Sequence, residues 1–253
     1  IPEILEVDVT KRPENSVPYL LPAHCPVCGA KVEKDEDGAY GWVLDTGRLA
    51  DVVDKVLYLF YDCGGTYLFP VKSLNVEQDE IREMFVRGEC AMNTIRLVAV
   101  EQPDVRAMEI QYGIAPVPKY DQAQEGYGTM IHDQFTVFAV PASAAADKLQ
   151  MIGAAMEVMA SESLRTVKPA YYEIALKRKY MSDPIAWDML DLIFNTVRID
   201  AGIVYTNVLG NPHDAFRQII TGKKNTVSSR FKKLEKTVTK NLSKMVDKMD
   251  KLG

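Results

Sequence analysis

Apolar residues are distributed along this chain in three successive regimes. Over residues 1–40 they are scattered between prolines. Pro13, Pro18, Pro22 and Pro26 forbid a long helix there, and Ile4, Val7 and Val9 suit a short strand. From Arg48 to Tyr61 the period becomes helical, with Leu49, Val52, Val53, Val56, Leu57 and Phe60 on one face. Asp45 or Thr46 can cap that helix, and Gly64-Gly65 can end it. Short elements follow: a β-like run from Tyr67 to Val71, a helix from Asp79 to Arg87 closed by Gly88, and an apolar run from Cys90 to Val100 interrupted by Arg96. Tyr112 to Val117 reads as a strand ended by Pro116 and Pro118. Gln134 to Val140 reads as a stronger one stopped by Pro141.

Beyond Pro141 the pattern is nearly all helical. It predicts helices over Ala144–Ser161, Tyr171–Tyr180, Pro184–Thr196 and His213–Thr221, then a C-terminal helix on which Phe231, Leu234, Val238, Leu242, Met245, Met249 and Leu252 recur at three and four. Strands first and helices afterwards predict an α/β protein finished by a helical layer.

The 253 residues suffice for one large or two small domains, and the composition is globular: 47% apolar, 26% charged. No run of about 18 apolar residues exists, so no membrane span is expected. Neither a basic n-region nor an apolar h-region follows Ile1, so no signal peptide is read here. Charge is uneven. Residues 223–253 carry ten Lys and Arg against three Asp and Glu, a net of +7, whereas the other 222 carry 20 against 32, a net of −12. A basic tail on an acidic body suits nucleic acid or an anionic membrane surface. The helical spacing offers a plainer alternative, an amphipathic helix packed on the body with a solvated lysine face.

Cys25 and Cys28, in Pro22-Ala-His-Cys-Pro-Val-Cys-Gly29, have the spacing that lets two thiolates share one tetrahedral metal. Cys63 and Cys90 stand alone, so the knuckle is incomplete. A zinc ion would bind weakly unless His24, Cys63 or a second chain completed the set. The alternative is a free thiol pair, and no other cofactor is implied. No G-x-S-x-G, H-E-x-x-H, P-loop or G-x-G-x-x-G occurs, which leads us to expect a non-enzyme.

Two resemblances divide the chain. Residues 1–40, through Ile1-Pro-Glu-Ile-Leu-Glu-Val-Asp-Val-Thr-Lys-Arg-Pro13, the knuckle, and Lys31 to Tyr40, resemble bacterial NAD-dependent DNA ligase. In that family this run leaves an oligonucleotide-binding barrel and enters a four-cysteine zinc finger. The adenylation lysine motif and the second cysteine pair are not found here. Residues 41–253 resemble the C-terminal half of a carbohydrate-type solute-binding protein of ABC importers. The stretches that carry this are Arg87-Gly-Glu-Cys-Ala-Met92, Tyr112-Gly-Ile-Ala-Pro-Val-Pro-Lys-Tyr-Asp121, Gln134 to Pro141, and Pro169-Ala-Tyr-Tyr-Glu-Ile-Ala-Leu-Lys177.

The second resemblance implies a partial, type II periplasmic-binding-protein-like α/β fold with a helix-rich C-terminal half behind an irregular knuckle-like leader. It implies a sugar or other solute as ligand and an ABC permease as partner, with nucleic acid not expected. It also implies an extracellular, lipid-anchored full-length relative; this chain, made without a signal peptide, would stay in the cytoplasm. Arg96 then becomes a forked donor to a sugar, or alternatively an ion-paired surface residue. Tyr171 or Tyr172 becomes a stacking platform, or alternatively core. Asn211, Asp214 and Arg217 become cleft contacts, though Asn211 or Asp214 can equally cap a helix. The leading expectation is therefore a truncated importer receptor behind an unrelated leader. The alternatives are a DNA-binding ligase fragment and a fusion with no function of its own.

Overall fold

The structure is a computed structural model. It describes residues 30–34, 36, 38, 40–66, 77–131, 137–141, 143–172, 184–198 and 201–251. Cys25, Cys28 and His24, the β-like run 67–71 and most of the helix expected over 171–180 lie outside the described residues.

In chain order the elements are β1 (Lys31–Lys34), β2 (Tyr40–Val43), α1 (Thr46–Leu57) running into a wide turn over Tyr58–Asp62, α2 (Glu77–Val86), a 3-10 turn over Leu97–Glu101 and α3 (Pro103–Arg106). There follow β3 (Thr129–Met130), α4 (Ala146–Glu162), α5 (Pro184–Asn195), β4 (Val197–Arg198), α6 (Ala201–Val204), α7 (Pro212–Thr221) and α8 (Val227–Asp250). The described residues are thus helix-rich with two two-stranded sheets.

β1 and β2 pair antiparallel, with Val32 opposite Trp42 and Lys34 opposite Tyr40. The period of two puts Tyr40 and Trp42 on one face, and both pack against α8. The boundary expected at residue 40 therefore falls inside this hairpin. β3 and β4 pair parallel over two residues, where Thr129 N–H donates to the Thr196 carbonyl at 2.9 Å.

α8 is the central element. Its 24 residues span about 36 Å at 1.5 Å per residue. Val227, Phe231, Val238 and Leu242 on its inner stripe are buried, the last two completely. The N-terminal part of the stripe meets Leu49 and Val53 of α1 and Ala215, Ile219 and Ile220 of α7. Its middle meets Tyr40 and Leu209, with Val32, Tyr205 and Val208 around them. Gly210 lets the chain turn from there into α7: φ is +70°, and a Cβ would lie 3.0 Å from Leu234 Cδ2. Asn211 is left-handed as well, at φ 56°. Asn225 Nδ2 closes the α7–α8 turn onto α1, donating to the Ala50 carbonyl at 3.0 Å and Asp54 Oδ1 at 2.7 Å.

A separate cluster gathers Val100, Tyr172, Ala186 and Leu190, with Leu97, Tyr112, Ile114, Trp187 and Phe194 around it. Two sequence expectations are corrected here. Tyr112 to Val117 is not a strand. Pro116 and Pro118 lack ladder donors, and Tyr112 and Ile114 are held instead by packing on the 97–101 turn. Residues 137–140 form no strand either, and Val137 and Phe138 are exposed. α4 matches its predicted span within two residues but buries no side chain.

Leu242→Ala should cost about 2–5 kcal/mol by opening a cavity under α8. Met151→Ala, on the open face of α4, should stay within about 0.5 kcal/mol of the parent. Urea denaturation followed by circular dichroism measures both, and equal losses would contradict the assignment of the core to α8.

Candidate nucleic-acid interface

Because the inner stripe of α8 is fixed by burial, its opposite side is fixed as well. Lys233, Lys236, Lys240, Lys244 and Lys248 follow one another at steps of three and four, and all are exposed. Their spacing makes one row about 22 Å long, with successive positions about 5–6 Å apart along the helix axis. None of the five is in an ion pair among the described residues. Arg230 and Lys232 extend the positive charge to the start of the helix, where Arg230 also donates to Gln218. Such a row suits a phosphate backbone, which is held by charge and needs no base-specific geometry.

A second charged feature ties a loop to α1. Arg48 makes a forked pair with Asp121, Nη1 to Oδ2 at 2.9 Å and Nη2 to Oδ1 at 3.1 Å. Lys55 Nζ donates to the Tyr120 carbonyl at 3.2 Å and lies 4.5 Å from the centre of that ring. Buried Gln124 stiffens the loop, accepting from Tyr120 N–H and donating to the Gly126 carbonyl. The Arg48 guanidinium holds the Asp121 carboxyl below the usual carboxylate range.

The residues singled out for a sugar cleft fall into two groups. Arg96 precedes the 97–101 turn, is exposed, and lines a cavity of about 130 Å³ with Asn93, Phe85 and Tyr112. Tyr172 is core: it is 6% exposed, stacks edge-on with Phe194 at 4.6 Å and donates its hydroxyl to Asp191. Tyr171 is 38% exposed and donates to Glu101. Asn211, Asp214 and Arg217 lie at and on α7, in the other cluster's neighbourhood. Asn211 takes the cap position but its side chain does not cap; Oδ1 accepts from the Thr206 hydroxyl at 3.2 Å instead. Asp214 sits in the first turn and accepts from Gln218 Nε2 at 2.7 Å. Arg217 is exposed, with its carbonyl accepting from the Thr221 hydroxyl. No single cluster gathers both groups.

Cys63 and Cys90 are free thiols, the first exposed and the second half-buried. The Gly65 backbone N–H, and after it the Thr66 hydroxyl, hold the Cys63 thiol below its ordinary range. Among the described residues no group of three or more His, Cys, Asp or Glu side chains could hold a metal ion. Among them, too, no helix is long and apolar enough to cross a membrane.

The similarity found among known proteins is to DNA ligases. The DNA ligase of Myxococcus xanthus (strain DK1622) is 46% identical over 56 residues, which are 22% of this chain and 8% of that protein. DNA ligase 1 of Deinococcus deserti is 51% identical over 39 residues, 15% of this chain and 6% of the relative. The DNA ligase of Limosilactobacillus reuteri (strain DSM 20016) is 59% identical over 32 residues, 13% and 5%. The chain thus spans less than a tenth of the length of these relatives. No family model matches, and no solved structure matches. These similarities agree with the resemblance carried by residues 1–40. They overturn the leading expectation of an importer receptor, since the matches are to ligases and nothing among them supports a solute-binding protein. The expectation of a non-enzyme is corrected by the same finding, because the matching segments belong to enzymes.

The row of lysines was legible from periodicity. The Arg48–Asp121 pair was not, because its partners are 73 positions apart. Asp121 is depressed in the folded chain, so its contribution to stability is present above the ordinary carboxylate range, near pH 4, and is lost as pH falls through the lowered value. Asp121→Asn should therefore flatten the acid limb of a stability-against-pH curve and leave the neutral-to-alkaline limb parallel to the parent. An unchanged acid limb would show that the pair contributes nothing.

Proposed function

We propose that this chain is a DNA-engaging part of a DNA-ligase-like enzyme. The short ligase matches carry the reading, and the exposed lysine row of α8 supports it with a surface of the right charge and length. In this reading α1, α7 and the β1–β2 hairpin serve as the rigid backing that holds α8 straight. The lysines neutralise phosphates along a duplex, and counterion release supplies most of the affinity. The geometry assigns no residue to strand joining itself.

Binding to a nicked duplex should weaken with salt along a log–log slope of about −4 to −5, as expected for five phosphate contacts. Replacing Lys240, Lys244 and Lys248 by Ala should make the slope shallower by about 3. Fluorescence anisotropy with a labelled nicked duplex is the measurement. A wild-type chain that fails to bind at low salt, or a triple variant with the parental slope, would sink the proposal.

The knuckle bears on the same reading. Two thiolates at Cys25 and Cys28 leave two zinc positions to water, so zinc should be removed readily by a chelator. One zinc per chain surviving dialysis against a chelator would mean that further ligands, from this chain or a second copy, complete a finger.

A further inference from the structure

A groove opens beside the lysine row, between the β2–α1 connection and the first turns of α8. It encloses about 350 Å³ and is lined by Trp42, Leu44 and Thr46 on one side and Ser228, Phe231, Lys232 and Glu235 on the other. That size lies at the lower end of small-ligand sites. Trp42 is half-buried and packs edge-on against Phe231, at 61° with ring centres 5.7 Å apart, so buried Phe231 closes the floor and Trp42 is the aromatic surface open to a ligand. Leu44 adds apolar surface. The hydroxyls of Thr46 and Ser228, the Lys232 ammonium and the Glu235 carboxylate are all on exposed residues.

This lining fits a ligand with a flat apolar face, a hydrogen-bonding edge and a negative group close by. A nucleobase on its sugar-phosphate has all three. Base–aromatic stacking is favourable for any base, and a basic track alongside is the usual companion of such a platform. The track is present here, because Lys232 lies four positions, about one turn, before Lys236, a member of the exposed row of α8. Glu235 adds selectivity. A carboxylate accepts from the exocyclic amine of cytosine or adenine, whereas thymine offers a carbonyl at the corresponding position.

We propose that this groove takes one unpaired nucleobase, preferring a base with an exocyclic amine, while the neighbouring phosphates lie on Lys232 and the lysine row. The inference rests on the DNA-binding reading and deepens it: α8 holds the backbone, and the groove reads a base that has left the stack. At a frayed or single-stranded end, such a base is what separates that DNA from an intact duplex.

The test uses the full chain carrying Trp187→Phe, which leaves Trp42 as its one tryptophan. The probes are oligodeoxycytidylate and oligothymidylate of about twelve nucleotides and a blunt duplex of matched charge. Oligodeoxycytidylate should quench Trp42 emission saturably, the duplex should not, and deoxycytidylate should bind more tightly than thymidylate. Ser228→Phe, which plugs the groove from an exposed position, should weaken oligodeoxycytidylate binding by about tenfold and leave duplex affinity within about twofold. Glu235→Gln should abolish the cytosine preference. Trp42→Leu is the second, more invasive variant and should act like Ser228→Phe, with circular dichroism confirming that the fold is kept. Single-strand affinity unchanged in Ser228→Phe, or equal quenching by both homopolymers, overturns the groove while duplex binding by the lysine row stands. A chain that binds neither single strand nor duplex overturns the DNA reading and the groove with it.

Discussion

The described structure depends on the burial of one stripe of α8. Val238 and Leu242 are fully enclosed, and through this stripe the hairpin, α1, the 205–209 segment and α7 are held against a common partner. At about 25 cal/mol per Å² of apolar surface removed from water, a stripe of this kind outweighs any single polar contact in the molecule. It also has a geometric effect. A helix that cannot rotate about its axis presents a fixed opposite face, so lysines three and four apart stay in one row. Burial and charge display are here two results of one periodicity.

The Arg48–Asp121 fork acts at another level. It joins α1, which belongs to the α8 assembly, to a loop that follows the 97–114 region. Both side chains are partly open to water, so solvent screens the attraction and the contribution to stability is small. Its role is geometric. With Lys55 over Tyr120 and Gln124 stitching the turn from within, the pair fixes where the loop lies on α1.

Much of the helical layer could be read from the sequence. Leu49, Val53, Phe231, Val238 and Leu242 announce their faces by spacing, and Asp45 caps α1 by accepting from Arg48 N–H. The strands were misread because β-like composition decides nothing without a neighbour to supply a ladder. Tyr112 to Val117 is apolar and interrupted by prolines, and it satisfies its side chains by packing. The hairpin over 31–43 was missed because the two resemblances divide the chain at residue 40, inside it, and only the pairing of Val32 with Trp42 shows its register. The cleft residues were chosen by resemblance to a receptor. Tyr172 proved to be core, and Asn211 a left-handed turn residue. The lysine row could be read as a helix face, but its partner could not, since a solvated face and a phosphate-binding face share the same pattern.

α4 differs from α8 in one respect with consequences over time. Its Met151, Val158 and Met159 stand open, and none of its residues is fully buried, so packing among the described residues adds little to its own backbone bonds. Opening such a segment costs little free energy, whereas opening α8 requires the whole packed assembly to separate. The chain therefore comes apart in a fixed order. Amides of α4 trade their hydrogens with solvent and meet proteases before those under Val238 and Leu242. A cut in α4 therefore leaves the lysine-bearing face standing, whose lifetime is set by the opening of α8.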